Sequence, residues 1–161
     1  MLNVTLKSDC KHIVIIGNGG AGSQTTALLS KMAKKSRLNC HLTVLSPLEY
    51  TEVSVSMTTN LVVRGAHGKS LFPPVCEPGV DYLVDGCKEL KPNSIITSTG
   101  KEVQFDVCVV ATGQNIPVFM PSSTQKTRVD RERYIADFVE KVHAAKNIVI
   151  SGGNNTVCGG C

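Results

Sequence analysis

The stretch Gly17-Asn18-Gly19-Gly20-Ala21-Gly22 places glycines at the first, third and sixth positions of a six-residue segment. That spacing suits the binding of a diphosphate. Gly17 permits a tight turn, Gly19 leaves the backbone free to approach a pyrophosphate, and Gly22 lets a following helix press against the strand before it. Asn18, Gly20 and Ala21 fill the remaining places, and the amides that open such a helix offer N–H groups to the anion. Read this way the loop takes a dinucleotide. The alternative is a glycine-rich turn that binds nothing.

The flanking residues decide between loop types. Ile13 to Ile16 is a short β-branched run, as in a strand buried on both faces of a parallel sheet. Beyond the loop, Ala21, Thr25, Leu28, Leu29 and Met32 recur at helical spacing and predict the inward face of a helix. Lys34, Lys35 and Arg37 fall at its C-terminal end, where positive charge offsets the helix dipole. A G-x-G-x-x-G between a strand and a helix is far more specific than the same letters elsewhere. A second strand is expected at His41–Leu45. Dinucleotide sites commonly carry Asp or Glu at its end to accept the ribose hydroxyls, and this chain has Ser46 there. A neutral hydroxyl makes one such bond without charge assistance. Glu49, three residues on, either reaches the ribose from the loop or is a solvated carboxylate.

The middle of the chain is irregular, with a short helix expected around Ser54–Val63 and a proline-rich loop after it. Three short strands in "DYLVDGCKEL", "SIITS" and "EVQFD", joined by "KPN" and "TG", predict a small antiparallel meander. A buried strand, Val107–Val110, follows and ends in Ala111-Thr112-Gly113. Small residues at the carboxyl end of a parallel strand lie where open α/β sheets place ligands, although a plain exit into a loop has the same letters. The fold class is therefore α/β: a Rossmann-like βαβ unit on a central parallel sheet, with an inserted antiparallel meander.

Taken in order, "IVIIGNGGAG", "LTVLSPLEY", "FDVCVVATG" and "NIVISGG" resemble the two-dinucleotide-binding-domain flavoproteins of the pyridine nucleotide–disulfide oxidoreductase type. The apoptosis-inducing-factor-like branch, with its ferroptosis-suppressor-like quinone reductases, is the nearest in pattern. The resemblance implies FAD on the first glycine fingerprint and NAD(P)H on a second. It puts Gly17, Gly19, Gly20, Ala21 and Gly22, with Asn18 in the same loop, against the FAD pyrophosphate and Ser46 at the ribose. It brings Ala111, Thr112 and Gly113 close to the cofactor and the backbone near Lys88 to the adenine.

The last thirty-odd residues carry a helical pattern, with Val129, Tyr134, Ile135, Phe138, Val139 and Val142 on one side. Arg131, Glu132, Arg133, Asp137, Glu140 and Lys141 fall largely on the other. Ile148–Ile150 is expected to be a further buried strand. It leads into Gly152-Gly153, where the resemblance starts a second fingerprint, but Asn154 and Val157 stand where glycines belong. The expected division is residues 1–120 as a partial FAD-binding region, 121–146 as a connecting loop and helix, and 147–161 as the abortive start of an NAD(P)H-binding domain. The expectation is a truncated copy of a longer protein, a genuine short one being the alternative.

Composition narrows the field. A formal charge of +4, with basic residues scattered apart from "KMAKKSR", shows no basic face for nucleic acid. "IVII" and "VCVVA" are too short to span a bilayer, the N-terminus lacks a secretory apolar region, and Leu2 excludes N-myristoylation. Seven cysteines without a secretory signal read as thiols in a reducing compartment, so the expected location is intracellular and cytoplasmic, with mitochondrial association left open. Cys158 and Cys161 form a C-x-x-C with no second pair and with dispersed histidines, so no metal is expected. No catalytic acid or base is nominated, since in flavin chemistry the cofactor carries the reaction. The leading function is the FAD-binding part of an NAD(P)H oxidoreductase passing electrons to a quinone or similar acceptor. The rivals are a non-catalytic remnant and a single-domain NAD(P)-binding protein.

Overall fold

In the computed structural model, residues 10–36, 39–52, 57–73, 77–114, 116 and 118–149 are described. They fall into two compact units, residues 1–47 with 75–113 and residues 48–74 with 114–161. Residues 48–74, which a linear reading keeps with the first fingerprint, group instead with the C-terminal helix. The suspect second fingerprint and the C-x-x-C lie outside the described residues.

The first unit is built on a parallel sheet of β1 (Lys11–Ile16), β2 (Cys40–Ser46), β5 (Val80–Val84) and β9 (Val107–Val110), in the order β5-β2-β1-β9. Helix α1 (Gly20–Ser36) makes the crossover from β1 to β2. Val14, Ile15 and Ile16 of the β-branched run in β1 are buried, and Ile13 is half-buried, because both faces are covered. Val14, Ile16 and Leu45 pack on one face with Ile95, Val103 and Phe105 from the meander of β6 (Cys87–Leu90), β7 (Ser94–Thr97) and β8 (Glu102–Gln104). Alternation sends Ile15 and Val44 to the opposite face, where α1 lies.

The meander begins later than its sequence pattern suggests. "DYLVDGCKEL" is two strands: Val80–Val84 joins the parallel sheet beside β2, and only Cys87–Leu90 belongs to the antiparallel piece. The Asp85-Gly86 pair breaks the run, which is what such a dipeptide does. The "TG" turn closes β7 to β8 with Gly100 at φ 88°, where a left-handed residue is needed.

Two expectations about burial are corrected. Helix α1 turns Gly22, Thr26 and Ser30 inward and leaves Leu28 and Met32 at 61% and 56% exposed. Small residues win that face because close approach of helix to strand, demanded at Gly22, leaves no room for large ones. Among the described residues, strand β9 is at the edge of its sheet rather than buried, with Val110 60% exposed. The expected strand at Ile148 also fails among the described residues, for Ile148 and Val149 lie in irregular, exposed backbone. A β-branched run forms a strand only beside a neighbour that completes its hydrogen bonds.

The second unit holds β3 (Thr51–Glu52) paired antiparallel with β4 (Leu71–Phe72), the short helix α2 (Met57–Val62), a 3-10 turn (Ala66–Lys69) and helix α3 (Arg128–Ala144). Thr127 caps α3, its hydroxyl oxygen accepting the Asp130 N–H at 3.1 Å. Tyr50, Met57, Leu61, Leu71, Ile135 and Val139 form its core. Arg131, expected on the polar side of α3, has no exposed surface. Its guanidinium bonds both Glu52 carboxylate oxygens at 3.1–3.2 Å, Gln125 Oε1 at 2.8 Å and the Phe119 carbonyl at 2.6 Å. Burial pushes the Glu52 carboxyl up, and the Arg131 guanidinium opposes that shift.

Candidate functional site

The glycine segment begins where β1 ends. Gly17 sits at φ 104°, a left-handed conformation, and its amide donates to the Leu45 carbonyl on the neighbouring strand at 2.8 Å. A Cβ there would collide with the Ala111 carbonyl. At Gly22 a Cβ would collide with the carbonyl of Gly17, so the first turn of α1 rests directly on the loop. These two glycines are required by the fold alone. Gly19 and Gly20 differ: among the described residues, a Cβ at either has no atom within 4 Å beyond its own neighbours. Both are exposed, as is Ala21, while Asn18 is buried in the turn.

Helix α1 starts from this loop with Ser23 N–H donating to the Gly19 carbonyl at 2.9 Å. The amides of Gly20, Ala21 and Gly22 are thus those of a first helical turn, which an α-helix leaves without intrahelical acceptors. No acidic residue occupies that turn, so its positive end is not neutralised by the helix itself. The arrangement can hold a diphosphate.

The order β5-β2-β1-β9 brings the remaining residues to the same edge. Ser46 ends β2 and is buried, and its carbonyl accepts the Asp85 N–H at 2.9 Å. The Ala111 N–H donates to the Ile16 carbonyl at 2.8 Å, placing Ala111 under Gly17, with Thr112 and Gly113 exposed beyond it. Gly17, Gly22, Ser46 and Ala111 therefore share the carboxyl edge of one sheet, the position at which open α/β sheets bind ligands. Lys88 is exposed on β6. Glu49 is exposed too, and its amide donates to the Lys126 carbonyl within the second unit.

Sequence reasoning overlooked Asp85. Its carboxylate accepts the Gly86 N–H at 2.7 Å and the Thr99 hydroxyl, so its pKa falls to about 2, with the Thr99 side chain the first cause, Thr97 the second and the backbone amides after them. A fixed anion therefore stands one strand over from Ser46. The Asp-Gly dipeptide after an apolar run was the available signal.

No family model matches the chain. Of curated proteins, apoptosis-inducing factor homolog A of Dictyostelium discoideum is 26% identical over 159 residues, covering 97% of this chain and 37% of that protein. The oxidoreductase ptaL of Pestalotiopsis fici is 25% identical, with 91% and 43% covered. In sequence the chain is apoptosis-inducing-factor-like. Among solved structures, the sulfide:quinone oxidoreductase of Aquifex aeolicus superposes with a TM-score of 0.64 at 18% identity, covering 83% of this chain and 32% of that one. NDH2 of Plasmodium falciparum, solved with NADH, gives 0.54 at 17%, with 86% and 31% covered. The fold of this apoptosis-inducing-factor-like chain is thus the Rossmann-like one expected from its residues. It spans about two fifths of the length of those curated relatives.

Proposed function

We propose that the chain carries the FAD-holding part of an NAD(P)H-dependent oxidoreductase, whose flavin takes hydride from NAD(P)H and passes electrons to a quinone or similar acceptor. The observation that carries this reading is the contrast among the glycines. Folding accounts for Gly17 and Gly22, but among the described residues nothing accounts for the missing side chains at Gly19 and Gly20. A ligand that must approach the backbone there does account for them.

Gly19, Gly20, Ala21 and Gly22 would hold the diphosphate through their amides, aided by the helix N-terminus. Asn18 shapes the turn. Ser46 would stand at the ribose end, with the backbone near Lys88 toward the adenosine, and Ala111-Thr112-Gly113 would pass beside the cofactor. When bound, the flavin ring supplies the two-electron chemistry, and the chain supplies position. Holding the cofactor is the share of this function that the described residues can carry. Turnover is proposed only together with a nicotinamide-binding part. The free thiols of Cys10, Cys40, Cys87 and Cys108 suit a reducing intracellular compartment, and no described helix is long and apolar enough to cross a membrane.

The test is flavin binding by the purified chain, read by quenching of FAD fluorescence and by retained yellow colour after desalting. Gly19→Val has open space for its side chain and should fold with an unchanged melt yet lose FAD at least tenfold in affinity. A wild-type protein that stays colourless in excess FAD, with a cooperative melt, overturns the proposal.

A further inference from the structure

The end of the parallel sheet remote from the glycine loop carries a chain of polar side chains that no dinucleotide chemistry uses. His12 is the second residue of β1, five residues or about 16 Å of strand before Gly17. It pairs in register with His41 on β2, and Thr43 pairs with Asp81 on β5. Residues in parallel register at alternate positions share a face, so all four point to the meander side. The two imidazole centroids are 4.9 Å apart. His12 Nε2 lies 2.8 Å from Thr43 Oγ1, which lies 3.4 Å from His41 Nε2. Asp81 Oδ2 is 3.2 Å from that same His41 nitrogen.

A hydroxyl has one proton to donate. While a ring keeps a bare nitrogen Thr43 can donate to it and accept from the other ring; with both rings protonated the hydroxyl can only accept. With both rings charged, no ring nitrogen can accept the hydroxyl proton, and two cations face each other at 4.9 Å. Asp106, at the entry to β9, faces His12 and is itself paired with Lys11. His41 and Thr43 face it from β2, Asp81 from β5 and the Gln104 carbonyl from β8. Asp106 accepts the His12 backbone N–H at 2.8 Å and pairs with Lys11 at 3.0 Å, so much of its charge is already taken.

We propose that His12, Thr43, His41 and Asp81 form a proton-sensitive latch, closed over β1, β2 and β5 while His12 is neutral and opened when both rings are protonated. Burial first, and His41 second, hold the His12 pKa below the ordinary imidazole value, against the weaker opposite pull of Gln104, Asp106 and Asp81. A depressed pKa means the unfolded chain binds the proton more readily. The stabilisation is therefore fully present above the ordinary histidine pKa of 6.5 and is lost as pH falls from there through the lowered value.

The experiment follows imidazole carbon-bound protons and backbone amide exchange by NMR across pH 4–8 in the full chain. In the wild type, His12 should titrate below the usual range. Over the same interval, amide protection should drop near residues 12–14 and 41–43 while that of Ile16 persists. His41→Asn keeps a polar partner but removes the second ring, and should move His12 back toward 6.5. Thr43→Val removes the bridge and should flatten the pH dependence of protection. Should either variant not fold, the wild-type titration decides alone. An ordinary His12 titration in the wild type, or protection that does not change with pH, overturns the latch.

Discussion

The two units solve the problem of a buried core in opposite ways. The parallel sheet buries Val14, Ile15, Ile16, Leu42, Val44 and Leu45, apolar residues whose stabilisation comes from leaving water. The unit around α3 surrounds a wholly buried cation, Arg131, with Glu52, Gln125 and a carbonyl, and packs Tyr50, Met57 and Ile135 about it. The first kind of core is forgiving of shape and indifferent to its exact partners. The second is intolerant, because a charge out of water must keep every partner it has.

That contrast predicts the largest effect at Arg131. Arg131→Ala should cost about 3–5 kcal/mol in urea unfolding, since it leaves Glu52 buried and unpaired. Replacing both partners, Arg131→Met with Glu52→Leu, should recover most of the loss; equal damage from the double and the single variant would erase the distinction between the cores. In the sheet, Ile15→Ala should cost about 2–5 kcal/mol through an apolar cavity, with no partner able to rescue it. A smaller, opposite change is expected at Val118. It is a β-branched residue at φ 73°, next to the carbonyl that Arg131 holds. Val118→Gly should raise stability by about 1 kcal/mol, and a loss would mean that the packing of the Val118 side chain outweighs its backbone strain. The smallest effect lies at the rim of the sheet. Thr99→Val should return Asp85 from about 2 toward an ordinary carboxylate pKa, read by carboxyl-carbon NMR. Its depressed value supports the fold above the usual carboxylate range and ceases to do so as pH falls through about 2.

Much of the candidate site can be read without coordinates because its constraints are local. Gly17 must adopt a left-handed φ, and Gly22 must meet the loop carbonyl five residues before it, so both follow from a strand, a turn and a helix in immediate succession. Ala111 under Gly17 is a long-range contact, yet the small residues of "ATG" advertise it. Asp85 was less visible, because its partners Thr97 and Thr99 come from a different hairpin. The α1 pattern misled for a related reason: apolar letters at Leu28 and Met32 mark a helix, but the tight approach at Gly22 decides which side faces the sheet.

The residues alone determined the β1–loop–α1 unit, β2 and the presence of an antiparallel meander, since hydrophobic periodicity and glycine stereochemistry act over a few neighbours; that Val80–Val84 joins the parallel sheet was decided by its pairing with β2. Tertiary structure decided the rest. Arg131 lies inside because Glu52, seventy-nine residues away, meets it there. Val110 stays largely in water because, among the described residues, β9 is an edge, and Val149 stands 93% exposed with no described strand beside it. Periodicity states which residues prefer burial, but only the assembled neighbours determine whether burial, or the partner a charge requires, is available.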